Sequence, residues 1–375
     1  MKKLKVIDLF AGVGGLSYGF SHDNAFKIIA ANELLPNMAK AYELNHPSVK
    51  MYCKDICSFG IKDLQKDLGV KKGDIDIIIG GPPCQAYSTI GKRKSNDPRG
   101  SLYNEYFRVL QEIQPKLFVF ENVKGLISME NGKLLPKIIE LFESLDYKIV
   151  YKMLNAADYG TPQIRERVFV VGTKLNKNFK FPSPTHYNPE LNNDLLFNDL
   201  KPYITIEEAI GDLPSMPSGK EITKYTKPPK NDYQKKMREN SKDKLNDHDT
   251  ANNNPNLVKI MEMLPDGGTP EDIPKKYRPK SGYINTYCRL WWKKPSTTIT
   301  RNLGTPSSSR CIHPKDPRSL STREGARLQG FPDDYIFYGS RMDKNLQIGN
   351  AVPVFLSISI KDAIKEHFNL INLVP

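Results

Sequence analysis

The stretch LKVIDLFAGVGGLSYGF, residues 4–20, decides the fold class. Its first half is an almost unbroken apolar run, as expected of a strand buried on both faces. The chain then passes through Phe10-Ala-Gly-Val-Gly-Gly15 into a segment of helical character. Glycines in such a turn let backbone approach a ligand at the carboxyl edge of a sheet, where open α/β sheets bind cofactors. A dinucleotide fingerprint, G-x-G-x-x-G, needs glycine at position 17; Ser17 stands there, which counts against a nicotinamide dinucleotide. The same stretch superficially mimics a signal peptide, but Asp8 interrupts its apolar part.

Working outward, further strand candidates fall at 26–32, 75–81, 116–122, 148–154 and 167–173, with helical patterns near 36–46, 103–113 and 133–145. This βαβα alternation predicts an α/β fold with a doubly wound, mostly parallel sheet. After about residue 175 the chain becomes rich in Asn, Lys, Pro and Ser, punctuated by PSPTHYNP, LPSMPSG and NDHDTANNNPN. Regular patterns resume at 321–331 and 350–368, both read as helical. We expect residues 1–175 to form the first part of a catalytic and cofactor-binding domain. Residues 176–317 are then a smaller inserted domain, and 318–375 return to complete the first.

The chain has 375 residues and a net charge of +13, and residues 220–320 carry 21 Lys and Arg against 11 Asp and Glu. A localised basic surface suits a polyanion, and nucleic acid is favoured over membrane because no basic amphipathic helix accompanies it. No run of 18 uncharged apolar residues exists, so no transmembrane helix is expected. Five cysteines, at 53, 57, 84, 288 and 311, point to reduced thiols in a cytoplasmic protein. Cys53 and Cys57 lack a second ligand pair at metal spacing, so no metal is expected.

Gly80-Gly-Pro-Pro-Cys-Gln85 is the most specific motif. A strand delivers Cys84 to a loop in which two prolines restrict the backbone, and Lys92, Arg93 and Arg99 follow. A free thiol titrates near about 8.5, so a nucleophilic Cys84 needs local activation. Glu121 closes another strand, where a carboxyl of raised pKa could protonate a ring nitrogen. In the extended segment Gln163-Ile-Arg-Glu-Arg167, side chains 163, 165 and 167 share one face, a set suited to a carboxylate, a phosphate or a base carbonyl. Glu33, at the end of the second strand, and Asp55 sit where acids can accept hydrogen bonds from ribose hydroxyls.

The ordered blocks FAGVGG, GGPPCQ, ENV, QIRER, TREGARLQGFP and QIGNAVPV make the chain similar to the DNA (cytosine-5) methyltransferase family. The resemblance implies a Rossmann-like, S-adenosylmethionine-dependent methyltransferase sheet with an inserted target-recognition domain. It implies that Cys84 adds to carbon 6 of a cytosine flipped out of duplex DNA and that Glu121 protonates ring nitrogen 3. Arg167 would hold the exocyclic oxygen, with Arg165 bracing the site; 5-methylcytosine and S-adenosylhomocysteine are the products. For the cofactor it implies Phe10 on adenine, backbone at Gly12, Val13 and Gly15 around the methionine part, Glu33 on the ribose, and Asp55 with Ile56 on the adenine edge. Leu34, Pro83 and Leu102 would be apolar walls, with Asn350 and Val352 completing the pocket. Tyr87, Ser321 and Leu34 are mild departures from the family's commoner residues, none at a chemical role.

In the inserted domain Arg289, Trp291, Trp292, Lys293, Lys294, Thr298 and Arg301 are the candidates for DNA contact; the opposing reading makes the tryptophans core. A monomer is expected, with a restriction endonuclease as a functional rather than physical partner and association with the nucleoid when bound to DNA. Two alternatives stay open: a methyltransferase acting on transfer RNA, disfavoured by the long insert, and a catalytically silent DNA-binding protein, disfavoured by the intact Cys84, Glu121 and Arg167.

Overall fold

The computed structural model describes residues 3–83, 102–191, 199–279 and 285–370. The chain divides into two compact units: Met1–Asn155, Glu166–Ser183 and Ser357–Pro375 form the first, and Ala156–Arg165 with Pro184–Leu356 form the second.

The first unit begins β1 (Leu4–Leu9), α1 (Gly15–Ser21), β2 (Phe26–Glu33), α2 (Pro36–Asn45), β3 (Lys50–Cys53), α3 (Ile61–Leu68) and β4 (Ile77–Gly80). It continues α4 (Leu102–Ile113), β5 (Leu117–Val123), α5 (Leu134–Glu143), β6 (Lys148–Asn155) and β7 (Glu166–Thr173). The strands form one seven-stranded sheet in the order β3-β2-β1-β4-β5-β7-β6. Neighbours from β3 to β5 are parallel, while β7 runs antiparallel to both β5 and β6. All six predicted strands are present; β3 was missed because KMYC offers too short an apolar signal.

Central strands are buried along their length: Val6, Ile7 and Leu9 of β1, Ile77, Ile78 and Ile79 of β4, and Leu117, Phe118, Val119 and Phe120 of β5 are all fully covered. On α4 the buried positions Tyr106, Val109, Leu110 and Ile113 follow helical spacing and turn one stripe toward the sheet. Tyr106, Phe118, Phe120 and Phe142 meet edge to face, with ring centroids 4.7 to 6.1 Å apart. The end of the chain, from Ser357 onward in the helix α11 introduced below, packs on α1: the Gly19 amide donates to Ser357 Oγ at 3.1 Å, and Ser357 donates to the Leu16 carbonyl.

One polar chain runs through this apolar interior. Asp8 is buried beneath α1; Ser17 donates to it at 2.6 Å and lies 2.8 Å from the Tyr42 hydroxyl. Burial pushes the Asp8 carboxyl up to about 7; the Ser17 hydrogen bond opposes this and the nearby Glu33 charge adds to it. Between its ordinary value of 3.8 and about 7 the folded chain holds a proton that the unfolded chain has released. Stability is therefore expected to fall as pH rises from 4 through about 7, by at most about 4 kcal/mol. Asp8→Asn should flatten that slope in urea unfolding between pH 5 and 8; parallel slopes in the two proteins would refute the assignment.

The second unit is loop-rich, as its Asn/Pro/Ser composition predicts. It holds β8 (His186–Tyr187) and β9 (Lys201–Pro202), then α6 (Ile206–Ile210), α7 (Asp232–Arg238), α8 (Pro255–Met263), α9 (Thr322–Leu328), α10 (Arg341–Asn350) and the start of α11 (Val354–His367). Caps define the short helices: Thr205 with Glu208, Ser321 with Glu324 and Ser340 with Asp343 form reciprocal capping boxes. Beside buried apolar residues such as Ile206, Met261, Leu290, Leu328 and Phe331, three fully buried arginines organise α9 and its approach. Arg318 makes a bidentate pair with Glu324, both bonds 2.8 Å, and Arg327 reaches Asp333 at 2.7 Å and also Asp212. Arg323 donates to the Asn246, Pro332 and Tyr335 carbonyls. Burial opposes ionisation of Glu324, but Arg318 and then His313 override it and hold the carboxyl well below the usual range.

This network accounts for the unit in which residues 318–356 fall in the compact division. Residues 318–356 are tied by ion pairs to Asp212 and Asp247, both inside the second unit. Only the part from Ser357 onward belongs with the sheet. The single helix expected over 350–368 starts at Val354, after a separate α10, because Pro353 sits at the junction.

Candidate active site

Strand order reverses at β1, which has β2 on one side and β4 on the other. Register aligns Leu9 with Asn32 and Gly80, Glu33 with Cys53, and Gly80 with Phe120. The segments after these positions therefore emerge side by side at one carboxyl edge: Phe10–Gly14, Leu34, Lys54–Asp55, Gly81–Pro83 and Glu121.

The glycine turn is held in an unusual conformation. Phe10 has φ 55°, Gly12 φ 55° and Gly14 φ 91°. The left-handed region is rare for a residue with a side chain, so Phe10 is placed there by its surroundings. Those surroundings include a hydrogen bond from the Ala11 amide to the Asn32 carbonyl at 3.0 Å and one from Gly14 to Ala11 at 2.9 Å. Glu33 completes the turn: its two oxygens accept from the Gly12 and Leu35 amides, each at 2.8 Å. Burial raises the Glu33 carboxyl, and the amides of Leu35, Gly12 and Leu34 only partly offset it. Asn32 ties β2 to the chain after β3 through the Tyr52 and Lys54 carbonyls.

A side chain built at Gly12 would meet nothing within 4 Å, so open space lies against the turn. Next to it Leu34 is 58% exposed, a large apolar surface beside a buried carboxylate. Asp55 lies in the open, its carboxylate accepting from the Cys57 amide at 2.8 Å. Val13 and Gly15 are buried, Phe10 and Leu102 are half-buried and pack on the core, and Pro83 is half-buried. Ile56 differs from a pocket wall: its side chain is in the core, leaving only its backbone toward this edge. An apolar wall, a backbone turn with room in front of it and acids at two strand ends fit a nucleoside-bearing cofactor.

A second cluster forms where β4, β5 and β7 meet. Glu121 and Arg167 occupy diagonal positions across the antiparallel β5/β7 pair, with Arg167 Nε 3.0 Å from Glu121 Oε1. Both side chains are nearly but not fully enclosed, 12% and 13% exposed. Burial lowers the Arg167 pKa against the opposing pull of Glu121. A Cβ at Gly81 would come within 2.8 Å of Glu121 Oε2, so glycine there leaves room for the carboxylate beside the β4 end. Asn122 reaches back to the Pro82 carbonyl at 3.0 Å and locks the two strand ends together. Sequence reading did not single out Asn122 or Gly81 for these roles; their presence inside the ENV and GGPP blocks was the available signal.

Cys84, Lys92, Arg93 and Arg99 lie outside the described residues. Of the expected face of Gln163, Arg165 and Arg167, only Arg167 belongs to the first unit. Gln163 and Arg165 belong to the second unit and are buried there, their donors engaged by carbonyl and amide groups. Gln163 Nε2 bonds the Leu328 carbonyl at 3.1 Å and Gln329 at 2.9 Å, and Arg165 bonds the Ile299 and Gly349 carbonyls, both at 2.8 Å. Arg165 thus braces backbone and offers no fork to an anion. Asn350, exposed, and Val352, half-buried, also lie in the second unit.

Among the DNA-contact candidates, Arg289 departs most from expectation. It is 3% exposed, and its guanidinium donates to the His313, Asp316 and Met261 carbonyls, a structural bolt that loop-rich backbone requires. Trp291 is half-buried under the Arg310 guanidinium, 4.1 Å from its ring centre, while Trp292 is half-buried beneath the Lys315 ammonium at 4.3 Å. Lys293 and Lys294 are exposed and pair with Glu207 and Glu190. Exposed Thr298 donates to the Ile164 carbonyl at 2.9 Å, and Arg301 is exposed.

The sheet, with its reversed last hairpin and a switch point at β1, defines an S-adenosylmethionine-dependent methyltransferase fold. The sequence profile of the C-5 cytosine-specific DNA methylases matches residues 4–366. Type II methyltransferase M1.HphI of Haemophilus parahaemolyticus is 34% identical over 96% of this chain and 86% of its own. M.DdeI of Desulfomicrobium norvegicum is 35% identical over 99% of this chain and 91% of its own. A crystal structure of a protein proposed to be a DNA modification methyltransferase, encoded within an E. coli prophage, superposes with a TM-score of 0.77 at 25% identity, covering 98% of this chain and all of the other. The chain belongs to the C-5 cytosine-specific DNA methylase family, and its activity is DNA cytosine-5 methylation.

Proposed function

We propose that this chain is the modification enzyme of a restriction–modification system, methylating one cytosine within a short recognised word of duplex DNA. The observation that carries this reading is the Glu121–Arg167 pair at 3.0 Å, set beside the Gly81-Pro82-Pro83 strand end that leads into Cys84. A cytosine presents a ring nitrogen next to a carbonyl oxygen, and an acid beside a guanidinium matches that edge. The target base must leave the duplex to reach such a site, at a cost of a few kcal/mol in stacking and pairing.

Cys84 then adds as thiolate to carbon 6, forming a sulfur–carbon bond and pushing electron density toward nitrogen 3. Glu121 donates a proton there, at the one strand end where its carboxyl can reach the ring nitrogen beside the Arg167 guanidinium. Arg167 holds the exocyclic oxygen as charge develops. Loss of the carbon-5 proton later expels Cys84 and restores the ring. When bound, S-adenosylmethionine supplies the electrophilic methyl group, leaving as S-adenosylhomocysteine. Glu33 would hold its ribose, the Phe10–Gly15 turn and Leu34 its adenosine and methionine parts, and Asp55 its adenine edge. No step assigned to these residues calls for a metal. A monomer and a separately encoded endonuclease complete the proposal.

Bisulfite sequencing of DNA from cells expressing the chain should reveal protected cytosines at one recurrent short word. Complete conversion throughout the genome, in cells containing folded protein, would overturn the reading.

A further inference from the structure

The Proposed function leaves unassigned a cleft of about 280 Å³ in the second unit. Lys227 and Lys230 line it together with Lys315, and Trp292 forms an aromatic wall beneath the Lys315 ammonium. All three lysines are exposed, and none forms an ion pair among the described residues. The rest of the cleft is a fixed frame. Gln234, 1% exposed, accepts from the Lys230 amide at 2.7 Å and donates to the Glu208 carbonyl at 2.9 Å. Asn231 caps α7 and donates to the same carbonyl at 3.0 Å. The two lining carboxylates are already engaged: Glu207 by Lys293, and Glu208 by the Thr205 amide and hydroxyl, both at 2.8 Å.

Counting Glu207 and Glu208 against Lys227, Lys230, Lys315 and the Lys293 that pairs with Glu207, the cleft keeps a net positive charge. Lysine can also contact guanine, but as a point charge on a flexible stem it lacks the fixed planar fork of arginine and suits phosphodiester oxygens in any sequence. No arginine lines this cleft. A neighbouring cleft differs: there Arg238 is tied to Asp212, to the Lys227 carbonyl and over the Tyr225 ring. We infer that Lys227, Lys230 and Lys315 around Trp292 form a sequence-independent site for the phosphodiester backbone of the DNA substrate. This rests on the duplex being the substrate, and it adds that part of the affinity is carried by a site that does not select the target word.

The test measures binding of the full-length chain to two labelled duplexes, one of random sequence and one containing the word found by bisulfite sequencing, from 50 to 200 mM salt. Each neutralised phosphate contributes about 0.9 to the slope of log affinity against log salt. Changing all three lysines to Gln (K227Q, K230Q and K315Q) should therefore reduce that slope by about 2 to 3, equally for both duplexes. The corresponding Lys→Arg triple change should keep the slope, and Lys62→Gln, an exposed lysine of the first unit, should leave it untouched. An unchanged slope in the folded Gln triple variant overturns the site. A loss confined to the word-containing duplex also overturns it, since that is base recognition, as does retained DNA binding with lost capture of an acidic protein. Absence of methylation would sink the Proposed function while leaving the slope measurement interpretable.

Discussion

Duplex DNA carrying 5-fluorocytosine at the target position is expected to become irreversibly attached to Cys84 when S-adenosylmethionine is supplied. Fluorine at carbon 5 cannot depart as a proton does, so the sulfur–carbon bond formed at carbon 6 has no route to elimination. The adduct should survive denaturing electrophoresis, and peptide mapping should locate it at residue 84. Cys84→Ala should give no adduct and lower turnover on ordinary duplex by on the order of 10³-fold or more, since it removes the covalent step itself. Glu121→Gln keeps the shape of the Arg167 contact but has no proton to donate to nitrogen 3. It should slow turnover by about 10² to 10⁴-fold while altering duplex affinity far less. Equal losses in turnover and affinity would make Glu121 a structural residue. No adduct on a verified site would remove the basis for the nucleophile.

The largest stability effect is expected at Arg327. Its side chain is fully buried between Asp333, at 2.7 Å, and Asp212. Arg327→Met should destabilise the second unit by about 3 to 5 kcal/mol, because two carboxylates are left in a low-dielectric interior without their shared cation. Arg238, 3.3 Å from Asp212, softens the loss but does not reach Asp333 by any ion pair seen among the described residues. Urea unfolding followed by tryptophan fluorescence checks this, since both Trp291 and Trp292 lie in the same unit. Changing Asp212 and Asp333 to Asn alongside Arg327→Met should recover part of the loss. A decrease below about 1 kcal/mol for the single variant would mean that the network is ornamental to folding.

Most of the sheet was legible because its strands are long apolar runs separated by helical periodicity, a signal that burial imposes directly on composition. The turn after β1 and Glu121 were legible as motifs at strand ends. Other features were not. Arg165 and Arg289 look, in one dimension, like any other cation available for an anion. Only folded neighbours reveal that both are consumed by carbonyl groups of loops and of the last turns of helices. Which compact unit residues 318–356 join was illegible for a related reason: a motif's position in the chain says nothing about which acids its arginines will find.

Residue order alone therefore established the α/β class, the carboxyl-edge turn, the candidate nucleophile and acid, and the basic character of the second half, since each is written in local pattern or net charge. Folding assigned the pairings: Glu33 to the Gly12 amide, Arg167 to Glu121, Arg327 to Asp212 and Asp333, and the unpaired lysines to one cleft. Pairing energies depend on distance and on exclusion of water, and neither quantity exists until remote segments have been brought together.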